Sequence, residues 1–265
     1  MKQDLLSQAL LSSLMQGEDF FRFQVVDCLP STNAALKALC RENPTLSEGL
    51  VLIAERQTRG HGRYDRVFSS PKGGIYMSIL LRPTASAEAA TLLTAAAAVA
   101  VAEAAEELTG LPFSIKWVND IYRNGRKIAG ILTEGSMEAN GRLSYAVLGI
   151  GINVLPPEEP HPEALSSLVG RVFEEKEAPD NPRARLVAAV LCRLLYHYRR
   201  LSDKSFLEGY RSRSMLTGRT VSFSHGDCTQ RGEVLGIDGD CRLLIKTEKG
   251  ASVALQSGEV QLTDF

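Results

Sequence analysis

The chain of 265 residues is 44% hydrophobic and 23% charged, too apolar for a disordered segment and long enough for one large domain plus a small one. Its 30 basic and 31 acidic residues leave a formal net charge of -1, which excludes the global basic field that non-specific nucleic-acid binding needs. Five dispersed cysteines without a C-x-x-C pair and four dispersed histidines argue against a disulfide framework and a zinc centre, and for reduced thiols in a cytoplasmic protein.

In chain order, residues 1–22 read as a short helical leader with an apolar face of Leu5, Leu6, Ala9, Leu10 and Leu14, rather than a signal peptide. A strand follows over 23–29, then a helix capped by Ser31 or Asn33 and ended by Asn43-Pro44. A buried strand over 49–55 leads into a polar, glycine-containing loop that runs to Lys72, and a second strand over 74–81 stops at Arg82-Pro83. The alanine-rich run beyond it predicts a helix from Ser86 to Leu108, closed by Gly110 and packed inside the protein rather than spanning a membrane. Asn124-Gly125 and Asn140-Gly141 each mark a tight hairpin, so the middle of the chain is antiparallel sheet and not a doubly wound nucleotide fold. A proline-rich connector over 156–162 precedes a helix from Pro182 to about Arg200, whose arginines 185, 193, 199 and 200 face solvent. From Gly218 onward, five short strands alternate with glycine and aspartate turns, the pattern of a small β-barrel or sandwich, with a boundary near Leu216.

Two segments carry the chemistry. The loop Gln57-Thr58-Arg59-Gly60-His61-Gly62-Arg63-Tyr64-Asp65-Arg66 combines glycines, which let backbone N–H groups approach an anion, with arginines matched to phosphate or carboxylate; a solvated surface loop is an equal reading. In the first hairpin a two-residue turn pairs Arg123 with Arg126, Tyr122 with Lys127 and Asp120 with Ala129. Plain strand alternation then puts Lys116, Val118, Asp120, Tyr122 and Lys127 on one face, with Trp117, Asn119 and Ile121 opposite. Two ammonium groups beside a carboxylate suit an anionic substrate with a bound cation, Asp120 being a candidate Mg²⁺ ligand. Gly149 and Gly151 lighten an otherwise apolar strand and mark a close approach, by a ligand or by a neighbouring helix.

Taken in order, Ser31-Thr32-Asn33, the QTRGHGRYDRVF loop, SSPKGGIYMSILLRP, KWVNDIY, RKIAGILTEG, VLGIGIN and the terminal β-unit resemble the biotin–protein ligases, over nearly the whole chain from Ser31. The resemblance implies an α+β fold, a mixed and largely antiparallel sheet with flanking helices like that of class II aminoacyl-tRNA synthetases, plus a small C-terminal SH3-like β-barrel. It implies a leader over 1–22, a catalytic unit over 23–216 and a terminal unit over 217–265. The implied reaction joins biotin and ATP, with Mg²⁺, into biotinyl-5′-AMP and diphosphate, then passes biotin to a lysine of the biotin carboxyl carrier domain of a carboxylase. Ser31, Thr32, Asn33, Gln57, Gly60, His61, Gly62 and Gly130 are implied around biotin. Arg63 and Lys127 fall at its carboxylate, Lys116 at the reacting phosphates, and Arg66, Phe68, Asn119 and Asn153 at the nucleotide. Arg63, Lys116 and Lys127 are the implied catalytic residues.

For Asn119 to meet the same ligand as Lys116 and Lys127, the strand must bulge or end near Val118. The chain also departs from the family loop, G-R-G-R-x-G-R-x-W: His61, Asp65 and Phe68 replace arginine, glycine and tryptophan, and Arg59 replaces a small residue. An ordinary imidazole is largely neutral at pH 7, so charge is lost at His61, with Arg59 placed to restore it, and Asp65 gives up glycine's freedom at positive φ. A lipoate or octanoate ligase or transferase is the nearest enzyme alternative. A biotin-sensing repressor is disfavoured, since the stretch of about 20 residues before the catalytic unit is short for a helix-turn-helix domain, and the altered loop would also suit an inactive binding protein. The expectation is a monofunctional cytoplasmic ligase with no DNA or membrane partner, and a homodimer is compatible with it.

Overall fold

The computed structural model describes residues 4–83, 89–137, 143–174, 176–225 and 228–263. Seven strands, β1 (Arg22–Leu29), β2 (Leu50–Gln57), β3 (Gly74–Leu81), β4 (Ser114–Lys116), β5 (Asp120–Arg123), β6 (Arg126–Met137) and β7 (Leu143–Asn153), form one sheet in the order β1-β2-β3-β7-β6-β5-β4. Only β1 and β2 run parallel; every other neighbouring pair is antiparallel. This is the expected mixed, largely antiparallel α+β architecture.

Both faces of the sheet are covered, which is why β3 is buried along its whole length and reads as a continuous apolar run. On one face lies α2 (Thr32–Glu42), capped by the Ser31 hydroxyl, which accepts from Ala34 N; its Leu36 and Cys40 pack on Leu52, Leu80 and Val147. On the other lie α3 (Ala89–Thr109) and α5 (Pro182–Tyr198). The small side chains Ala95–Ala98, Ala100, Ala102, Ala104 and Ala105 of α3 let it lie close on β5, β6 and β7 in the main core. Arg185, Arg193, Arg199 and Arg200 are exposed, as their spacing predicts. The Ser86 cap and the Asn140-Gly141 turn lie outside the described residues, although β6 and β7 pair antiparallel as that turn requires.

Three expectations are corrected. The leader buries Leu6, Leu11 and Met15, whereas Leu5 and Leu14 are exposed, because α1 (Gln8–Leu14) begins only at Gln8 and the helical face therefore rotates. The segment from Ser114 to Arg123 is not one strand: the chain reverses over 117–119, where the Trp117–Val118 peptide is cis, and β4 pairs back on β5 with Lys116 opposite Asp120. In the next hairpin a bulge shifts the register, so Asp120 faces Gly130 and Ile121 faces Ala129, while Tyr122 still faces Lys127.

After α4 (Glu163–Ser166) and α6 (Phe206–Ser212), strands β8 (Thr220–His225), β9 (Cys228–Ile237), β10 (Leu243–Thr247), β11 (Ser252–Leu255) and β12 (Val260–Leu262) form a second, five-stranded antiparallel sheet. It shares the main core through Val221, Phe223, Val234, Ile237, Leu243 and Ile245. Trp117, 5% exposed, belongs to that core as expected, and its indole N–H donates to Cys241 O at 2.8 Å, tying the β4–β5 turn to the second sheet. Among the described residues no helix is long and apolar enough to cross a membrane, and all five cysteines are free thiols.

The N-terminal segment is held by Arg183 at the start of α5. Its guanidinium is almost fully buried and pairs with Asp4 and with Glu55 of β2, each at 2.5 Å. Replacing Arg183 with methionine leaves two half-buried carboxylates without their cation, so the urea unfolding free energy should fall by about 3 kcal/mol. An unchanged midpoint and slope would show that the ion pairs are replaced by water at no cost.

Candidate active site

A cavity of about 250 Å³ opens on the α2 face of the large sheet, beyond the start of that helix. Cross-strand register explains its floor. Tyr76 pairs with Gly151, Gly151 with Gly130, Gly130 with Asp120, and Asp120 with Lys116, so one row crosses five strands on a single face. The bulge in the β5–β6 hairpin returns Lys127 to this same face, and its ammonium lies 2.7 Å from Asp120 Oδ1. In a regular strand Gly130 and Lys127, three positions apart, would point to opposite sides.

The β4–β5 reversal removes the conflict over Asn119. Sitting in the turn, its carbonyl accepts from Ile131 N at 2.9 Å and its Nδ2–H donates to Ile131 O at 2.9 Å, so its side chain borders the cavity beside Lys116. Burial is the largest influence on the Lys116 ammonium and holds its pKa below that of an ordinary lysine; Lys127 pushes the same way, and Asp120 opposes both.

The roof is the glycine loop between β2 and β3. Arg63 donates to Asn119 Oδ1 at 3.4 Å and to Gly258 O at 3.3 Å, and Arg66 pairs with Glu259. The loop therefore bridges the β4–β5 turn of the large sheet and the β11–β12 connection of the small one. Positive φ falls on Tyr64 (56°), not on Asp65, so the loss of glycine at Asp65 costs no backbone strain. Phe68 rests directly on the sheet: a Cβ on Gly151 would lie 2.6 Å from its ring, and one on Gly130 3.2 Å away. The close approach expected at Gly149 and Gly151 is thus made by α2, through Asn33, and by the loop, through Phe68.

At the end nearest α2 the lining is neutral. Ser31, Thr32 and Gln57 border the cavity; Thr32 N donates to Gln57 Oε1 at 2.8 Å, and Gln57 Nε2 donates to Ser70 Oγ at 3.0 Å. Gly60 is excluded from the lining but lies against Gln57, and a Cβ there would meet Phe68 O and Ser70 Oγ at 2.5 Å. His61 faces Glu134, with Nε2 3.6 Å from a carboxylate oxygen, and Asn153 sits at the other end, donating weakly to Lys127 O at 3.5 Å. Every implied site residue except Gly60 lines the cavity. Arg59 does not: it is exposed and stands outside the lining, so it is not placed in the cavity to replace the charge of His61.

Sequence reading passed over Tyr76, Glu134, His161, Gly258 and Glu259. The last two come from the terminal sheet and nothing local in the sequence announces them; His161 lies in the proline-rich connector and pairs with Ser69 at 2.9 Å. Among the described residues no three His, Cys, Asp or Glu side chains cluster to hold a metal.

The biotin/lipoate A/B protein ligase family model matches residues 25–153, and the biotin protein ligase C-terminal domain model matches residues 217–263. A biotin–[acetyl-CoA-carboxylase] ligase of Mycobacterium tuberculosis is 32% identical over 92% of this chain and 90% of its own. The chain belongs to the biotin protein ligase family. The bifunctional ligase/repressor BirA of Bacillus subtilis is also 32% identical, over 89% of this chain and 72% of the relative. Among solved structures, the biotin protein ligase from Aquifex aeolicus in complex with biotin and ATP matches with a TM-score of 0.75 and 31% identity, covering 91% of this chain and 97% of that one. This ligase-family fold places the cavity on the sheet face covered by α2, roofed by the glycine loop.

Because burial disfavours the Lys116 ammonium, the unfolded chain binds its proton more tightly than the folded one does. That cost is fully present at neutral pH and disappears only as alkaline pH deprotonates free lysine. Lys116→Met should therefore raise or preserve the urea midpoint at pH 7, in contrast to Arg183→Met. A clear loss of stability would mean that Lys116 is a structural cation.

Proposed function

We propose that the cavity activates biotin with ATP and that the chain passes the biotinyl group to a lysine of the carrier domain of a biotin-dependent carboxylase. One observation carries the reading: within a single cavity, neutral hydrogen-bonding groups (Ser31, Thr32, Gln57) line one end and Arg63, Arg66, Lys116 and Lys127 surround the other. A molecule with a polar uncharged head and a carboxylate tail fits that polarity, with a nucleotide entering at the cationic end.

In the first step a carboxylate oxygen attacks the α-phosphorus of ATP, the bond to the β-phosphate oxygen breaks, and diphosphate leaves with the electron pair. Lys127 at the carboxylate and Lys116 at the phosphates offset the charge that two anions bring together. Arg63 reaches the same region from the roof, Arg66 and Phe68 border the nucleotide side, and Asn119 and Asn153 offer amides to the base or ribose. In the second step the carrier lysine's amine attacks the acyl carbon, AMP departs, and the amine loses a proton. A magnesium ion bound with the triphosphate would neutralise its charge; Asp120 fits such an ion as a single carboxylate ligand, since Mg²⁺ on nucleotides needs only one or two.

In this reading the large sheet and its helices, 23–216, form the ligase unit, with 1–22 as its docked leader and 217–265 as a terminal unit that completes the roof. The chain acts in the cytoplasm, singly or as a homodimer, without a DNA or membrane partner; the near-neutral charge supports this.

Incubation with ATP and either biotin or lipoate, followed by mass measurement of the adenylate and transfer of label to a carrier domain, tests the assignment. Biotin alone should be activated; lipoyl-AMP as the main product would overturn it. Lys127→Ala should slow adenylate formation by about 10²-fold or more. Arg63→Ala should instead let biotinyl-AMP escape and hydrolyse, and unchanged retention after rapid dilution would remove Arg63 from that role.

A further inference from the structure

Behind the neutral end of the cavity lies a chain of polar groups that the reaction above does not use. Lys37 of α2 pairs with Glu134 Oε1 of β6 at 2.5 Å, and Asn33 Nδ2 donates to Glu134 Oε2 at 2.8 Å and to Leu132 O at 3.3 Å. Burial works against the Glu134 carboxylate, but the hydrogen bonds from Lys37 and Asn33 and the Lys37 charge outweigh it and hold its pKa below the ordinary range. The carboxylate and the Leu132 carbonyl can only accept, so the Asn33 amide has one orientation, with Oδ1 turned to Ser78 Oγ at 2.6 Å. This approach exists because Gly149 has no side chain: a Cβ there would lie 2.3 Å from Asn33 Oδ1.

Ser78 is fully buried and has one hydrogen to give. Asn33 Oδ1 takes it. Toward Thr32 Oγ1, 2.7 Å away, Ser78 can then only accept, so the Thr32 hydroxyl spends its own hydrogen on Ser78. Gln57 Oε1 accepts from Thr32 N at 2.8 Å and lies 3.2 Å from Thr32 Oγ1, a longer second acceptor for that hydroxyl than Ser78; with its hydrogen turned to either, Thr32 Oγ1 has lone pairs alone for the cavity. Ser31 Oγ accepts from Ala34 N and keeps its hydrogen, and Gln57 Nε2, with one hydrogen on Ser70, keeps another.

We infer that Ser78 is a positioning residue that, held by Asn33 and Glu134, fixes the Thr32 hydroxyl as an acceptor and makes this end select a ring offering an N–H beside a carbonyl. The inference rests on biotin's cyclic urea entering this end. A ligand with an acceptor in place of that N–H sets lone pairs against lone pairs, with no hydrogen between them. Both Asn33 Nδ2 hydrogens are spent on Leu132 O and Glu134 Oε2, so Asn33 donates none to the ligand.

The test uses calorimetric titration of the full chain with biotin and with its two cyclic carbamate analogues, in which each ring N–H is replaced in turn by oxygen. In the wild type one analogue should bind about 10²-fold more weakly than biotin. In Ser78→Ala the Thr32 hydroxyl loses its 2.7 Å acceptor and keeps only the longer 3.2 Å contact to Gln57 Oε1, so it can turn to donate into the cavity, and the gap for that analogue should shrink to within about tenfold, whatever happens to biotin affinity itself. Ser78→Cys, which keeps the volume and replaces a strong donor with a weak one, serves if the alanine variant does not fold, with the same narrowing expected. A ratio of biotin to analogue affinity unchanged from the wild type would overturn the inference. Failure of the wild type to bind biotin would instead overturn the functional reading on which it rests.

Discussion

The Asn33 amide and the Phe68 ring lie directly on the backbone of β7, and the site depends on that contact. At Gly149 and Gly151 a methyl group would sit 2.3 and 2.6 Å from them, distances at which something must move. Omitting side chains here lets the start of α2 and the glycine loop approach the sheet from two directions and leaves a cavity between them. The same row carries Asp120 and Lys116 to the cavity from strands further along, so the floor and the charges follow from one cross-strand register.

The second organising fact is that two of the cavity's cations, Lys127 and Arg66, already have anions. Lys127 lies on Asp120, Arg66 on Glu259, and His61 near Glu134, which also holds Lys37. These pairs make the even count of basic and acidic residues intelligible at one place: concentrated positive charge without counter-ions would repel itself in a partly dry pocket. An exposed pair such as Arg66–Glu259 adds little stability and can be exchanged for a phosphate at small cost, whereas Arg183, buried with Asp4 and Glu55, is structural. Similar side chains thus do different work according to burial.

Much of this was legible beforehand. Strand β3, helix α2 with its Ser31 cap, the exposed arginines of α5 and the strand-rich terminal segment were all readable, because each depends on periodicity and end signals within about twenty residues. The cavity residues were legible as motifs, since glycines and cations crowd into short segments. Arg59 was misplaced because loop side chains obey no period, and Leu5 and Leu14 because the start of α1 could not be fixed to within a residue or two. Ser78 gave a weak signal, one serine in an otherwise apolar strand, but its partners Thr32 and Asn33 lie 46 and 45 positions away.

By itself, then, the sequence determined the element order, the antiparallel centre, the terminal β-unit and the identity of the groups that surround the cavity, all local properties of pattern and residue type. Only the tertiary structure decided that the chain reverses between Lys116 and Asp120 and bulges before Lys127, placing both lysines with Asn119. It alone brought Gly258 and Glu259 over the site and fixed the direction of the Thr32 hydroxyl. Those outcomes depend on register and on contacts between distant segments. A single residue's slip in a strand reverses every face beyond it, and no local signal carries that information.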